Sequence, residues 1–557
     1  MPLMSFSSPQ SQSPAMVNSA TRAASVSRAV FFTASALLYA CAILTAALTL
    51  NAYFSQTWDV ATFIHAAHRF IDGGNPFDLY AQSRAAQTWP YAYPPLHAFV
   101  VAMALLVGNA IRVLPDYVWA RVPALLADIG VGLVLFGIVE RKSKDEALAR
   151  AAMLLWLFNP VTFYDTAVQG HFESEWLLFV VLAYVWYENS RGILLPSIAL
   201  ALAVLFKQVA ILFAFPVWMM MLKAEGGRMK GEENRVSVHP SAWKRVVFSI
   251  LIFVAVAGVV CLPYLLYSND FLYMNLTYVE NVPVQTQSWI VALLGVTRAS
   301  PTALTSDFFL LRYQTMVTIL AAAAIAFFAA RRGAGLYLTA MLIALAFFLT
   351  SKKVMGYYYV MLFPFLLAEA LPQRRFDLVL IAIAATTWIS LSPYYASWGD
   401  PSHWWIYALL GALNSALFVG MFVYFWTRIN PEKRGEGKIP TPVRVNPRPI
   451  LFVTLGLFAG AAFAAFLQPL AQNAASPLRA PIIAAGMETN ALLAFGALIA
   501  LTVAALGVLA RTTRDGSALP RAAWGIVLIF TPLFFAVYYL TKESTAIFEI
   551  ALKALGV

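Results

Sequence analysis

The sequence is short of charge and nearly without cysteine. Asp, Glu, Lys and Arg make up 12% of its 557 residues, against 61% hydrophobic residues and a mean hydropathy of +0.72. Such a chain cannot fold as a water-soluble body, because too little polar surface remains to cover one. Its two cysteines, Cys41 and Cys261, both sit inside apolar runs. That excludes a disulfide framework and a thiolate metal cluster, and leaves them as packing residues. No histidine stands four residues after His171, so a helical zinc pair is absent. No long block of one charge sign occurs either. The net charge of +11 collects in short loops between apolar runs, a pattern that orients membrane helices and is not a nucleic-acid signature. Two halves with matching broken helices, expected of a secondary transporter, are also missing.

What is present is a succession of apolar runs from Ala29 to the end of the chain, each near the roughly 20 residues that a bilayer requires. The expected fold is an all-α polytopic membrane protein with about 13–15 transmembrane helices. A Ser-rich stretch, residues 1–28 with Arg22 and Arg28, precedes them as a disordered cytoplasmic tail; the run after it is too long for a cleaved signal. Taking the basic loops as cytoplasmic, at Glu140–Arg150, Lys223–Arg245, Arg331/Arg332, Arg374/Arg375, Arg428–Arg448 and Arg511–Arg521, parity pairs the C-terminal runs out and back. The N-terminal half has one surplus run, Leu96–Leu114, read as re-entrant or tilted. Ile193–Leu222 fits either one tilted helix or two short ones broken near Lys207 and Pro216.

On this topology the unusual residues gather on the outward side. In the first outward loop, residues 52–95, Val60, Phe63, Ile64, Ala67, Phe70 and Ile71 recur at helical spacing, with Asp59, Thr62, His65, Arg69 and Asp72 opposite. The expected element is an interfacial amphipathic helix, ended by Gly73, Gly74 and Pro76. Asp72 and Asp78 read as solvated acids beside that turn. Asp165, Glu173 and Glu175 cluster at a helix boundary, where carboxylates are costly unless they face a cavity or partner. Lys207 lies deep in an apolar run and therefore needs a carboxylate or phosphate, Glu173 being the preferred protein partner. Lys352 and Lys353 form an outward basic edge that orientation statistics disfavour and a phosphate ligand explains; Arg312 is a weaker candidate for that role. Gln285, Gln287 and Trp289 suit a sugar, by amide hydrogen bonds and ring stacking, as well as they suit an interfacial belt. Asn275-Leu276-Thr277 matches a glycosylation sequon.

The stretches "YAYPP", "RVPALLADIG", "WLFNPVTFYDTAVQGHFESE", "LALAVLFKQVAILFAFP" and "SKKVMGYYYVMLFPFL" resemble, in order and spacing, the GT-C class of polyprenyl-phosphate-sugar-dependent glycosyltransferases. "GHFE" and "LFKQ" are similar to the glucosyltransferases of N-glycan assembly. "LWLFNP" and the lysine–tyrosine stretch look like the mannosyltransferase of GPI-anchor assembly and bacterial relatives. The resemblance covers residues 29–372, a catalytic module. Residues 373–557 are expected to be variable membrane helices. It implies an inverting hexosyltransferase that moves mannose or glucose from a polyprenyl-phosphate donor to a lipid-linked or cell-envelope acceptor. Its place would be a bacterial or archaeal cell membrane, or the endoplasmic reticulum, with the site on the outer or lumenal face. Asp59 matches the general base by position, although an acid there also suits a helix N-terminus. Lys207, Lys352, Lys353 and Arg312 would hold the phosphate, and His171, Glu173, Gln208, Gln287 and Trp289 would line the substrate cavity. The DxD pair of some mannosyltransferases is missing, since Ala61 stands two residues after Asp59, so a cofactor-free site is expected and a divalent cation is not favoured. Membrane lipids are the remaining partner. The alternatives are a polytopic transporter or lipid-linked-sugar flippase, and an assembly subunit, which would need neither Asp59 nor an outward lysine pair.

If the topology is right, cysteines placed at Asn75 and Ser397 label with impermeant maleimide from the outer face and one at Gly231 only from the cytoplasmic face. Labelling at Asn75 from inside would overturn both topology and site.

Overall fold

The computed structural model describes residues 26–44, 47, 58–86, 88–190, 192–223, 240–282, 284–297, 308–391 and 404–428. The runs beyond 428 and positions 231 and 397 lie outside them, as do the first 25 residues. The described chain is helical almost throughout: α1 (Val26–Leu44), α2 (Trp58–Ile71), α3 (Leu79–Ala86), α4 (Leu96–Ile111), α5 (Val122–Ser143), α6 (Glu146–Leu157), α7 (Glu173–Ser190), α8 (Leu194–Phe206), α9 (Phe215–Lys223), α10 (Pro240–Tyr267), α11 (Trp289–Thr297), α12 (Gln314–Arg331), α13 (Leu336–Thr350), α14 (Phe363–Ala370), α15 (Phe376–Leu391) and α16 (Trp404–Arg428). One parallel bridge, between Gln285 and Lys353, is the only sheet-like pairing among the described residues. Four stretches are long and apolar enough to span a bilayer: Val26–Leu44, Asp116–Ser143, Ala242–Tyr267 and Gln314–Arg331; α6 with Pro160–Ala167, bent by 41°, makes a fifth. Shorter apolar helices complete the set. The protein is an all-α multi-pass membrane protein, and α10 presents Leu251, Val254, Val259 and Leu266 outward, as a lipid-facing helix does.

The two ends of the bundle differ in chemistry. At one end the basic loops lock to neighbouring carboxylates. Arg28 reaches Glu140 (2.6 Å) and Glu146 (3.1 Å), Arg141 reaches Glu188 (3.0 Å), and Arg374 reaches Asp145 (3.0 Å). Asp145 also caps α6, accepting from the backbone of Ala147 and Leu148. Loops that parity assigned to one side thus meet at one end.

At the other end, α2 has the expected start, with Asp59 in its first turn, and Gly73 follows it at φ +73°. Its apolar face does not lie in the interface, however. Val60, Phe63, Ala66 and Ala67 are fully buried in protein, and the helix packs on α4, because α4 and the 91–95 turn offer a larger apolar surface than headgroups do. Asp78 is not a solvated acid either. It is buried and takes a bidentate contact from Arg69 (2.7 and 2.8 Å) that ties α2 to α3. The surplus run is α4, whose 16 residues reach about 24 Å, less than an upright crossing needs. The ambiguous run breaks at Lys207, where the backbone turns extended (φ −152°, ψ 130°). It then tightens into a 3-10 turn, Gln208–Ala214, before α9 continues through Pro216.

Asp128, buried in α5, joins three elements: its carboxylate accepts from Tyr39 of α1 (2.6 Å), from Thr166 (2.7 Å) and from Ser174 of α7. Asp128→Ala strands those hydroxyls without an acceptor. A loss of about 3 kcal/mol is expected, at about 1–3 kcal/mol for each unsatisfied buried group and partial relaxation. Denaturation of the purified protein in micelles measures it, and a midpoint equal to wild type would refute the hub.

Candidate active site

The loop that carries His171 has to pass very close to α2, and glycine permits it. Gly170 caps the wide turn Tyr164–Gln169 at φ +61°. A Cβ there would stand 2.4 Å from Val60 Cγ2 and 2.9 Å from Arg121 Cζ, so other residues are excluded by conformation and by space. Arg121, itself buried, donates to the carbonyls of Tyr117 (2.5 Å) and Ala167 (3.2 Å) and braces the same turn. The His171 N–H closes the loop on the Asp165 carbonyl (2.9 Å).

Lys207 is held by the start of α7. Its ammonium forms an ion pair with Glu173 Oε1, and Glu173 Oε2 accepts from Trp176 Nε1 at 2.6 Å. Lysine and glutamate are 3% and 0% exposed. The ammonium also lies 4.1 Å from the centre of the Tyr358 ring, with Phe172, Tyr93 and Tyr357 at 5.4–5.6 Å, a cation–π enclosure that replaces lost hydration. The partner expected from the sequence is therefore present.

His171 sits between this pair and Asp59. Its Nδ1 is 3.4 Å from Glu173 Oε1 and its Nε2 is 3.8 Å from Asp59 Oδ2. Its ring stacks between Tyr357 (3.9 Å, 20°) and Phe172 (5.2 Å, 5°). Burial, with Lys207 adding to it, pulls the imidazole below its ordinary value against the opposing carboxylates Glu173 and Asp59. The ring is therefore neutral at pH 7. Asp59 itself is 32% exposed. Lys353 approaches from the extended stretch after α13; burial lowers its ammonium, Asp59 opposes that and Lys207 reinforces it. Asp165, His171 and Glu173 each bring one ligand atom within 4.8 Å of the others, but both Glu173 oxygens are engaged, by Lys207 and by Trp176.

Asp59, His171, Glu173, Lys207 and Lys353 thus converge, and other candidates do not. Successive side chains of an extended strand point opposite ways, which separates the two lysines. Lys352 is buried and donates to the Glu280 carbonyl, while its backbone pairs with Gln285 (2.7 Å) and Gln314 (3.2 Å). Arg312 is exposed in a separate groove with Glu280, Tyr313 and Met316. Gln208 lies in the wall and donates to Ala92 (3.0 Å) and Asn275 (2.7 Å). Asn275 is buried, which removes it as a glycosylation acceptor. Gln287 accepts from Tyr359 (3.0 Å), and the Trp289 indole donates to Leu349 (2.7 Å); both are committed to packing. Sequence reasoning missed Tyr93, Tyr357 and Tyr358 as the enclosure, although both motifs that hold them were noticed. It also missed the buried pair His97–Glu175 (2.9 Å), stacked on the far face of Phe172.

The comparisons agree with a GT-C-like glycosyltransferase resemblance. The profile of the family described as GPI transamidase subunit PIG-U matches residues 82–294. GPI mannosyltransferase 1 of Gibberella zeae is 28% identical over 191 residues, 34% of this chain and 39% of that protein. The chain thus matches well under half the length of that relative. The PIG-U match takes in His171, Glu173 and Lys207 and begins after Asp59.

Lys207→Ala should leave Glu173 as an uncompensated buried charge and cost about 3–5 kcal/mol, read as lost monodisperse protein on size exclusion. Adding Glu173→Gln should recover part of it. A single variant as stable as wild type would show that the pair carries no structural weight.

Proposed function

We propose that the protein is an integral membrane hexosyltransferase that moves mannose or glucose from a polyprenyl-phosphate donor to a lipid-linked or cell-envelope acceptor. The transfer is inverting and metal-independent and runs on the outer or lumenal face. The observation that carries this reading is Asp59, partly exposed and 3.8 Å from His171, beside the buried Lys207–Glu173 pair and Lys353. A lipid-phosphate sugar presents its anomeric carbon at the membrane surface. Lys353 and Lys207 neutralise the phosphate, and the C1–O bond to phosphate breaks with its electron pair passing to that oxygen. The acceptor oxygen forms the new bond from the opposite face of C1, and Asp59 removes its proton. The aromatic enclosure excludes water that would otherwise take the sugar.

A second reading has one specific support: the matched family profile is named for a transamidase subunit and leaves Asp59 outside. On that reading the pocket binds a lipid-linked glycan without reacting it, and Asp59 is dispensable. The two separate on one substitution. Asp59→Asn keeps shape and removes the base, so it should express, insert and bind donor normally but lose about 10²-fold or more of turnover. Wild type should give product of inverted anomeric configuration with polyprenyl-phosphate glucose or mannose. Near-normal turnover of a well-folded Asp59→Asn protein would overturn the base, and no transfer by wild type from either donor would favour the subunit.

A further inference from the structure

Two groups share one buried oxygen. Glu173 Oε1 carries the Lys207 ammonium and stands 3.4 Å from His171 Nδ1, while His171 Nε2 stands 3.8 Å from Asp59. Neither imidazole nitrogen makes a hydrogen bond. A fully buried imidazole left in this way, between a base and an ion pair, is poised to strengthen one contact when the other changes. We infer that His171 couples capture of a phosphodiester at Lys207 to the orientation of Asp59, taking up a proton from solvent as the ligand binds. The inference rests on the reading of Lys207 as a phosphate ligand.

The physical reason is compensation of charge. A phosphodiester that draws the ammonium toward itself leaves Glu173 a buried carboxylate with only the Trp176 indole on it, which is costly. His171 Nδ1 is the group beside it that can replace the ammonium. Phosphate capture changes the balance of the charges that face the ring in one direction. The phosphate offsets Lys207, the cation that disfavours an imidazolium, and leaves Glu173 and Asp59, which favour it; Asp165, which burial and its carboxylate neighbours push toward the neutral acid, adds no opposing charge. Tyr93 and Tyr357 face the ring as neutral phenols. His97 lies beyond Phe172 and is tied to Glu175. Arg121, against Gly170, is bound to backbone carbonyls. Once protonated, His171 donates from Nδ1 to Glu173 and from Nε2 to Asp59, and so fixes the carboxylate for the acceptor. His171 is in this sense a positioning residue that acts through Asp59.

The sign follows from linkage. The ring is neutral before binding and charged after, so affinity is greatest below the free protein's imidazole value and is lost as pH rises through the higher value of the complex. Citronellyl-phosphoglucose and citronellyl-phosphomannose have a phosphate that does not titrate in this range, and the full-length protein in detergent can be titrated with each by calorimetry. For whichever binds, wild type should bind about 10-fold tighter at pH 5.5 than at pH 8, one pKa unit of linkage corresponding to a factor of ten. Heats at pH 6.5 should differ between PIPES and imidazole buffers, whose ionisation enthalpies differ, by uptake of part of a proton. His171→Gln should bind with the pH dependence gone and lose kcat with little change in donor KM at pH 8; His97→Gln should keep the pH dependence. A flat wild-type profile with no buffer effect, or an equal slope in His171→Gln, overturns the coupling alone. Wild type that binds neither ligand overturns it together with the donor reading. If His171→Gln does not fold, the wild-type buffer dependence decides by itself.

Discussion

The site is organised around one expensive charge. An ammonium in the middle of an apolar run costs about 2.5–3.5 kcal/mol at a helix centre if nothing meets it, and Lys207 is answered by Glu173 from another helix. That answer dictates much else. The helix opens at Lys207 so that the side chain can turn inward, and the first turn of α7 has to lie deep enough to reach it. The loop before α7 must therefore squeeze past α2, which Gly170 alone permits. Trp176, Tyr358 and the neighbouring rings then surround the pair, since a desolvated pair needs its remaining valences satisfied.

The same depth explains why the two ends of the bundle differ. The basic loops meet carboxylates in exposed or half-exposed pairs, each of modest worth and together able to hold the helix ends in register. At the other end Lys207 and Glu173 are buried and Lys207 is enclosed by aromatic rings, while Asp59 beside them is partly exposed. Asp128 stands below them and fixes α1, the wide turn and α7 to one another, so the cluster sits on a fixed floor while Asp59 remains partly exposed. A buried ion pair with one accessible carboxylate suits a reaction in which charge leaves toward the protein and a proton leaves toward solvent.

The matched family model and the similar fungal protein differ in what their names imply, the first a subunit and the second an enzyme. The buried pair and its histidine are compatible with both, because recognition of a lipid phosphate needs only the cations. What separates transfer from binding is a base within reach of an acceptor, and that depends on Asp59 and the helix that carries it.

The sequence by itself determined the class of fold, because composition and apolar run length leave no other solvent for these helices. It also determined that Lys207 needs a partner, since the cost of a lone buried charge does not depend on which structure surrounds it. The basic loops could be grouped on one side for a similar reason: charge density is written along the chain. Distance was not written there. The separation of Lys352 from Lys353 depends on an extended stretch paired with Gln285. The burial of the amphipathic face of α2 depends on α4 and the 91–95 turn lying beneath it. The commitment of Gln287 and Trp289 to packing depends on α13 and on Tyr359, sixty or more residues away. The position of His171 between Asp59 and Glu173 follows from a close passage at Gly170. In each case the deciding contact joins residues remote in sequence, and only tertiary packing sets which of a residue's compatible partners it meets.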